Sequence, residues 1–232
     1  MKNIKLIGGD EASFLYQVKD YSQVSEKLIE SLLWPFSVPY LFLDFKPLAL
    51  PAGSLKHKIS KKYSVRYIFG GKRQALKQLG KGLKNSPIEL RAPKNLKEAK
   101  DLSRKSISEH YIKPNARLLG PDFNKETKRY ISSMEMVKSA LLFKKGRNVG
   151  IVSLMDSVRP DGKPVSVVTW EWIDKKLPTA EFNDALFRVS KWIRENVKET
   201  LGWYTHDFCA EEQKLCTKLG LKPYRIFFSR NK

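Results

Sequence analysis

The apolar residues in the second half of this chain follow helical and strand-like spacing in turn. The segment "EFNDALFRVSKWIRENVKET" repeats apolar residues every three or four positions, which predicts a long amphipathic helix. The run "VSVVTWEWID" before it and the run "GWYTHDF" after it predict strands. Next, "AEEQKLCTKLG" predicts a helix that ends at its glycine, and "PYRIFFS" predicts a closing strand. Helices and strands therefore alternate to the end of the sequence.

The region from about residue 87 to 158 supplies the preceding elements. Asn95 is the expected N-cap of its first helix, and Glu98 follows three residues later as in a capping box. A hairpin is expected to turn within Lys145–Asn148. The predicted strand, two helices and hairpin cover "IELRAP", "NLKEAKDLSRKSISEHY", "NKETKRYISSMEMVKS" and "ALLFKKGRNVGIVSLMDSV". The second half thus has the order β-α-α-β-β-β-α-β-α-β.

The first half predicts a separate set of strands and helices. Strands are expected at "NIKLIGG", "YLFLDFKPLALP" and "KISKKYSVRYIFGG", an amphipathic helix at "SQVSEKLIESLLW", and a short basic helix at "KRQALKQLGKGLK". A proline and a new strand mark a boundary near residue 86. We therefore expect an α+β protein with an additional N-terminal α+β domain over 1–86. The domain over 87–232 is expected to hold a central mixed, mostly antiparallel sheet flanked by helices.

Composition and charge narrow the functional classes. The chain of 232 residues is 41% hydrophobic, with 44 Lys+Arg against 24 Asp+Glu, a net charge of +20. Such a charge attracts polyanions. The sequence contains no run of about 18 apolar residues, so no membrane span is expected. Cys209 and Cys216 are too far apart on one helix for a disulfide, and free thiols favour a cytoplasmic location. The three histidines have no zinc-site spacing, so no metal is expected.

The basic charge is concentrated in one segment. Every charged residue between 51 and 88 is a lysine or arginine, and Tyr63, Tyr67 and Phe69 lie among them. Basic and aromatic side chains together favour single-stranded nucleic acid, although a solvated lysine-rich face explains the same pattern. The candidate polyanion-binding residues are Lys58, Lys61, Lys62, Arg66, Lys72, Arg73 and Lys77.

The order of elements over about residues 87–230 resembles the GNAT superfamily of acyl-CoA-dependent N-acyltransferases. Three local patterns carry the resemblance. The hairpin "SALLFKKGRNVGIVSLMDS" looks like the second and third strands of the family. The long helix after "VVTWEWI" occupies the place of the helix that cradles the cofactor, and "LCTKLGLKPY" looks like the closing family signature.

The resemblance implies acyl transfer from a thioester to an amine. The donor would be acetyl-CoA, a longer acyl-CoA, or an acyl group on an acidic acyl carrier protein. In the family the thioester lies between two strands that splay apart, and the CoA pyrophosphate lies at the N-terminus of the long helix. The residues that this places at the cofactor are Val168, Thr169, Trp170, Lys175, Lys176, Phe182 and Asn183.

Three residues are candidates for the acid–base chemistry that the resemblance implies. Glu171 lies on the strand where the family often carries its general base, and strict alternation places it with Thr169, opposite Trp170. His206, on the next strand, is a second candidate base. Cys216 occupies the position of a tyrosine that often protonates the leaving thiolate. Each also has a purely structural interpretation. Glu171 would be a hydrogen-bonded strand residue, His206 a histidine whose hydrogen bonds are made within the fold, and Cys216 a thiol packed in the core.

The expected pyrophosphate loop departs from the family pattern. Glu181 and Asn183 stand where glycines are expected. This motivates a second hypothesis, in which the GNAT-like half is a catalytically inactive scaffold and the protein binds RNA or DNA through residues 51–88. A third hypothesis treats the N-terminal half as a partial, diverged copy of the same fold. The sequence leaves the acceptor, the acyl length and the oligomeric state open.

Overall fold

The computed structural model describes residues 4–9, 13–18, 25–33, 40–44, 63–116, 119, 123–158 and 163–230. The described strands are β1 (Ile4–Gly9), β2 (Ser13–Val18), β3 (Tyr40–Asp44), β4 (Tyr63–Lys72), β5 (Ile88–Arg91), β6 (Val137–Lys144), β7 (Arg147–Val158), β8 (Pro164–Ile173), β9 (Thr200–His206) and β10 (Lys222–Arg230). The described α-helices are α1 (Glu26–Leu33), α2 (Leu96–Ile107), α3 (Lys113–Asn115), α4 (Phe123–Ser132), α5 (Thr179–Asn196) and α6 (Ala210–Lys218). A π-helical turn, Ser108–Ile112, joins α2 to α3.

The chain divides into two compact units. The first unit comprises Met1–Gly70, Tyr204–Thr217 and Lys222–Lys232, and the second comprises Gly71–Trp203 and Lys218–Leu221. The expected α+β class, with a mixed sheet and flanking helices, is confirmed. The domain boundary expected near residue 86 stays a prediction. Within the described part of the chain, no helix has the length and apolar character needed to cross a membrane.

The sheet of the second unit has the strand order β5-β6-β7-β8-β9. Its neighbours are antiparallel except β8 and β9, which are parallel. The residues Val149 to Leu154 of β7 are buried in an unbroken run, as expected for a strand covered on both faces. The β6–β7 hairpin turns at Lys145 and Gly146, with φ of 49° and 77°. These values suit a two-residue primed turn and fall inside the predicted range.

Helices of the second unit bury the faces that the sequence predicts. Val189 and Ile193 of α5 are buried, as is Val197 directly after the helix. Helices α2 and α4 and the 3-10 turn Met134–Met136 contribute a second cluster, which packs against Trp170 of β8 and consists of Ala99, Ile107, Ile131 and Met134. Two helical layers therefore position strand β8, and that strand carries most of the candidate site residues.

The start of α2 confirms the predicted N-cap. The side chain of Asn95 accepts a hydrogen bond from the amide of Glu98 at 2.9 Å. The Glu98 carboxylate accepts the amide of Lys94 and pairs with Arg91 at 2.7 Å, rather than with the amide of Asn95. The hydrogen bond from Arg91 is the main cause that lowers the pKa of Glu98 to about 2. This cap fixes where the first helix of the second unit begins.

The strands of the first unit follow the order β1-β2-β3-β10-β4. Strand β10 is antiparallel to both β3 and β4, whereas β2 and β3 are parallel. Ile226 and Phe228 of β10 are completely buried. The sequence predicted β1, β3, β4 and β10 but did not predict β2.

The helix predicted over "KRQALKQLGKGLK" is wrong. After a short 3-10 turn at Arg73–Ala75, the chain continues without regular secondary structure through residues 78–86, a segment that we call the strap. The strap lies along α5, because Leu79 donates its amide to Ser190 Oγ at 3.0 Å and Leu83 donates its amide to Asp184 Oδ1 at 2.8 Å. These bonds to buried acceptors on α5 take the place of the hydrogen bonds that a helix would make within itself.

Candidate functional site

Within the second unit, strand β9 pairs in parallel with the first half of β8. The pairs are Ser166↔Leu201, Val167↔Gly202 and Val168↔Trp203. Strand β8 continues for five residues after Val168, to Ile173.

A β-bulge lies at the point where this pairing stops. On the other edge of β8, Trp170 is opposite Ser153 of β7, and Val168 is opposite Leu154. Thr169 is consequently an extra residue without a partner on β7. A bulge changes the direction of the strand and of the side chains near it. Strict alternation, which placed Thr169 and Trp170 on opposite faces, is therefore wrong at this position.

The bulge brings Thr169 towards a buried set of hydroxyl groups. Burial raises the pKa of the Tyr130 phenol, and the nearby hydroxyls of Ser153, Thr169 and Ser103 partly offset the increase. Among the described residues, the Ser103, Tyr130 and Thr169 hydroxyls are buried without a partner at ordinary hydrogen-bond geometry. No sequence pattern indicated this cluster, because Tyr130 is only one residue of the amphipathic helix α4.

The tryptophans of β8 face the layer formed by α2 and the π-helical turn. Trp170 donates its indole N–H to Ser106 Oγ at 2.8 Å, and its ring meets Tyr111 edge-on. Trp172 stacks on His110 with ring centroids 4.0 Å apart and nearly parallel planes. Burial lowers the pKa of His110, so its neutral form is favoured. Both tryptophans therefore serve as packing surfaces of this layer.

The N-terminus of α5 offers backbone donors at the end of β8. The N-cap residue is Pro178, which has no side-chain cap, and Phe182 donates the first intrahelical bond to the carbonyl of Pro178 at 2.9 Å. By helix geometry, the amides of Thr179–Glu181 have no intrahelical acceptor. Thr179 and Ala180 are exposed. An anion in front of this turn would be favoured by the amides and by the helix dipole.

The carboxylate of Glu181 is held by a cation of its own. Lys144 Nζ, at the end of β6, lies 2.8 and 2.6 Å from the two carboxylate oxygens of Glu181. The negative charge that replaces an expected glycine is thereby neutralised. The turn before α5 is fixed by Asp174, which pairs with Arg147 at 3.0 Å and accepts the amide of Lys176 at 2.9 Å.

The predicted cofactor residues divide into two groups in the second unit. Val168, Thr169 and Trp170 form the bulged part of β8. The exposed side chains of Lys175 and Lys176 belong to the turn before α5, and the half-buried Phe182 and exposed Asn183 belong to its first turns. The first group therefore lies in the middle of β8, and the second follows its carboxyl end.

The predicted catalytic residues are divided between the units. Glu171 is half-buried on β8 in the second unit. His206 and Cys216 belong to the first unit. His206 is buried, and its carbonyl accepts hydrogen bonds from Gln213 and from the amide of Cys209. Both cysteines are free thiols, and Cys216 has no exposed surface, which favours a packing role.

The predicted polyanion-binding residues also separate. Lys58, Lys61 and Lys62 lie outside the described residues. Arg66, on β4, has its guanidinium 5.8 Å from the centre of the Phe227 ring. The aromatic residues Tyr67 and Phe69 are buried in the core, so they do not form a stacking platform.

The remaining basic candidates lie in the second unit. Lys72 and Arg73 line a cavity of about 1130 Å³. Lys77 is exposed, and its amide donates to the carbonyl of Leu219 at 2.8 Å. The cavity also contains side chains from the C-terminal half of α5, which the sequence did not associate with this segment.

Comparisons with known proteins bear on the fold. No protein-family model matches the sequence, and no curated protein matches it significantly. The chain is similar to the crystal structure of a functionally unknown conserved protein from Staphylococcus epidermidis ATCC 12228, with 13% identity and a TM-score of 0.51 over 98% of this chain and 94% of that one. It is also similar to a tandem GNAT protein from the clavulanic acid biosynthesis pathway, with 9% identity and a TM-score of 0.50 over 94% of this chain and 75% of that one. At such identities, a likeness shows the fold alone.

Proposed function

We propose that this chain, whose fold is that of the GNAT superfamily, is an N-acyltransferase that transfers an acyl group from acyl-CoA to an amine. The observation that carries the proposal is the β-bulge at Thr169 of β8, which directly follows the last β8–β9 pair of the second unit, Val168↔Trp203. Strand β8 continues from the bulge to Ile173, and α5 begins six residues later, at Thr179. This is the position where the family resemblance places the acyl thioester.

The first turn of α5 supports a pyrophosphate at the adjoining position. Its amides have no intrahelical acceptor, and Lys175 and Lys176 add positive charge beside them. Glu181 would oppose an anion, but its ion pair with Lys144 removes that objection. The absence of loop glycines is therefore compatible with binding, since exposed Thr179 and Ala180 begin the helix.

In the proposed reaction, the amine nitrogen attacks the thioester carbonyl carbon and the thiolate leaves. A backbone amide of the Val167–Trp172 segment, near the bulge at Thr169, would donate to the developing oxyanion. Glu171 would take the proton of the attacking amine, through a water molecule. Burial raises the pKa of the Tyr130 phenol, so this hydroxyl stays protonated at neutral pH and does not serve as the base. Acyl-CoA supplies the activated acyl group.

The proposal can be tested by titration calorimetry of the folded protein with acetyl-CoA and with longer acyl-CoAs. Binding of one of these donors is expected, followed by release of free thiol when an amine acceptor is added. A second titration uses an acyl carrier protein that carries the same acyl group, because the positive charge of the chain would also attract an acidic donor protein. A folded sample that binds no donor in either titration would overturn the proposal.

We also propose that the N-terminal half is a partial, diverged copy of the same fold. The match to the tandem GNAT protein extends over 94% of this chain and so reaches the N-terminal half. A structure of the chain at high resolution that superposes no part of the first unit on the second would contradict this hypothesis.

A further inference from the structure

A cavity in the second unit lies away from the proposed acyl-CoA site. It has a volume of about 1130 Å³ and is open to solvent. We call it the basic cleft, because its cationic side chains are Lys72, Arg73, Lys163, Lys191, Arg194 and Lys198. The carboxylates among its lining residues are Glu195 and Glu199. Cations that are distant in sequence therefore meet in one concave surface.

The basic cleft is at the opposite end of α5 from the first-turn amides. Thr179 begins the helix, and Arg194 lies in its last turn. At the helical rise per residue, these positions are roughly 22 Å apart along the axis. The partial negative charge at the C-terminal end of a helix does not attract anions. Any attraction must therefore come from the side chains, and it is independent of the proposed acyl-CoA site.

Backbone contacts hold two walls of the basic cleft together. The amide of Arg73 donates to the carbonyl of Glu199 at 2.8 Å, and its guanidinium Nε donates to the carbonyl of Arg194 at 2.9 Å. Lys198 lies 3.1 Å from Asp156, which anchors its side chain. The segment after β4 is thus fixed beside the end of α5, so the cations need little ordering when a ligand binds.

Four cations of the basic cleft are exposed to solvent: Lys72, Lys191, Arg194 and Lys198. Lys191 and Glu195 are 3.9 Å apart, with 59% of each side chain exposed, so their ion pair is weak. Six cations face three carboxylates when Asp156, the partner of Lys198, is counted with Glu195 and Glu199. The surface therefore keeps a positive charge that fits closely spaced negative charges.

The residue types that line the basic cleft favour a polyanion. Pockets for small molecules are lined mostly by hydrophobic and aromatic side chains. Eleven of the twelve residues that line this cleft are charged or polar. Its aromatic residue, Phe187, packs against Gly82 of the strap, so it is not arranged as a stacking surface. From these features we propose that the basic cleft binds the phosphate backbone of single-stranded nucleic acid without reading its sequence.

The experiment uses the full chain and a fluorescent single-stranded RNA of roughly 16 nucleotides, about the largest site expected for such a groove. Anisotropy titrations are carried out between about 50 and about 200 mM salt. The cleft variant combines Lys72→Glu, Lys191→Glu and Arg194→Glu. The control combines Lys97→Glu, Arg104→Glu and Lys105→Glu, which are exposed positions on α2 with the same change in net charge. A neutral set, with Gln at the three cleft positions, covers the case where charge reversal prevents folding.

We expect the wild type to bind more weakly as salt increases. The cleft variant should lose at least roughly tenfold in affinity at low salt, and its salt slope should decrease by about 2, since each phosphate contact on a single strand contributes about 0.7. The control should retain most of the affinity. No binding by the wild type at low salt would overturn the proposal. An equal loss of RNA affinity in the cleft variant and the control would also overturn it. So would a competition experiment in which polyglutamate displaces the RNA as well as unlabelled RNA of the same total charge does.

Discussion

Asp184 is a completely buried carboxylate whose hydrogen bonds join the strap to α5. It accepts from the amide of Leu83 and from the Ser86 hydroxyl, and it pairs with Arg188 at 3.0 Å. Burial alone would raise its pKa, but these three partners outweigh burial and leave the pKa below its ordinary value. The charged form is therefore the one that stabilises the folded state.

Replacement of Asp184 by Asn should lower the free energy of unfolding by about 1–3 kcal/mol at neutral pH, because an amide cannot accept all three donors. The lowered pKa means that this contribution is present above the unfolded-state value of about 4 and is lost as the pH falls below it. Urea unfolding at several pH values measures this. Asp101→Asn, an exposed control on α2, should change stability by less than about 0.5 kcal/mol. An equally small effect at Asp184 would contradict the assignment.

Glu171 is the residue on which the proposed proton transfer depends. Glu171→Gln should reduce kcat by about 10²–10⁴-fold while leaving donor binding nearly unchanged, since the amide keeps the shape but cannot accept a proton. If Glu171 is the base, kcat increases with pH as its carboxyl group loses its proton. This increase should be absent in the variant. Steady-state assays of thiol release measure both effects, with Glu135→Gln at an exposed position as control. A loss below about threefold would assign Glu171 a structural role instead.

At the scale of single elements, the strap depends on a close approach of backbone to helix. Gly80 has a φ of 66°, and a Cβ there would collide with the carbonyl of Asn183 on α5. Gly146 also has a positive φ, 77°, but a Cβ there would meet nothing within 4 Å. Substitution of Gly146 by alanine therefore tests backbone strain alone, whereas the same substitution at Gly80 adds a steric collision.

Gly146→Ala should cost about 1–2 kcal/mol, because only the left-handed conformation is penalised. Gly80→Ala should cost about 1–3 kcal/mol more, because the strap must also move away from α5. Thermal unfolding of both variants compares the two costs directly. Equal destabilisation would show that the strap does not need its close contact with Asn183.

At the scale of the whole molecule, the sequence predicted features that local physics determines. The face of α5, the Asn95 cap and the glycine after α6 follow from periodicity and terminal chemistry, and Gly220 has the expected positive φ of 93°. The order of elements predicted the fold for the same reason. These features need no information from distant residues.

The features that the sequence did not predict depend on tertiary contacts. The strap exists because Asp184 and Ser190 on α5 provide acceptors for a segment about a hundred residues earlier in the chain. The bulge at Thr169 is a shift in register between two strands, and alternation within one strand does not reveal it. The basic cleft joins Lys72 to Lys191, which no sequence window contains together. More of the fold than of the candidate site could therefore be predicted from the sequence.

Our central proposal is that acyl-CoA binds between the second half of β8 and the first turn of α5. Hydrogen–deuterium exchange with and without saturating acetyl-CoA tests it most directly, because the amides concerned belong to two short segments. We predict slower exchange in peptides that cover Thr169–Ile173 and Thr179–Phe182, with little change around the basic cleft. Unchanged exchange in both segments, or protection confined to the basic cleft, would contradict the account.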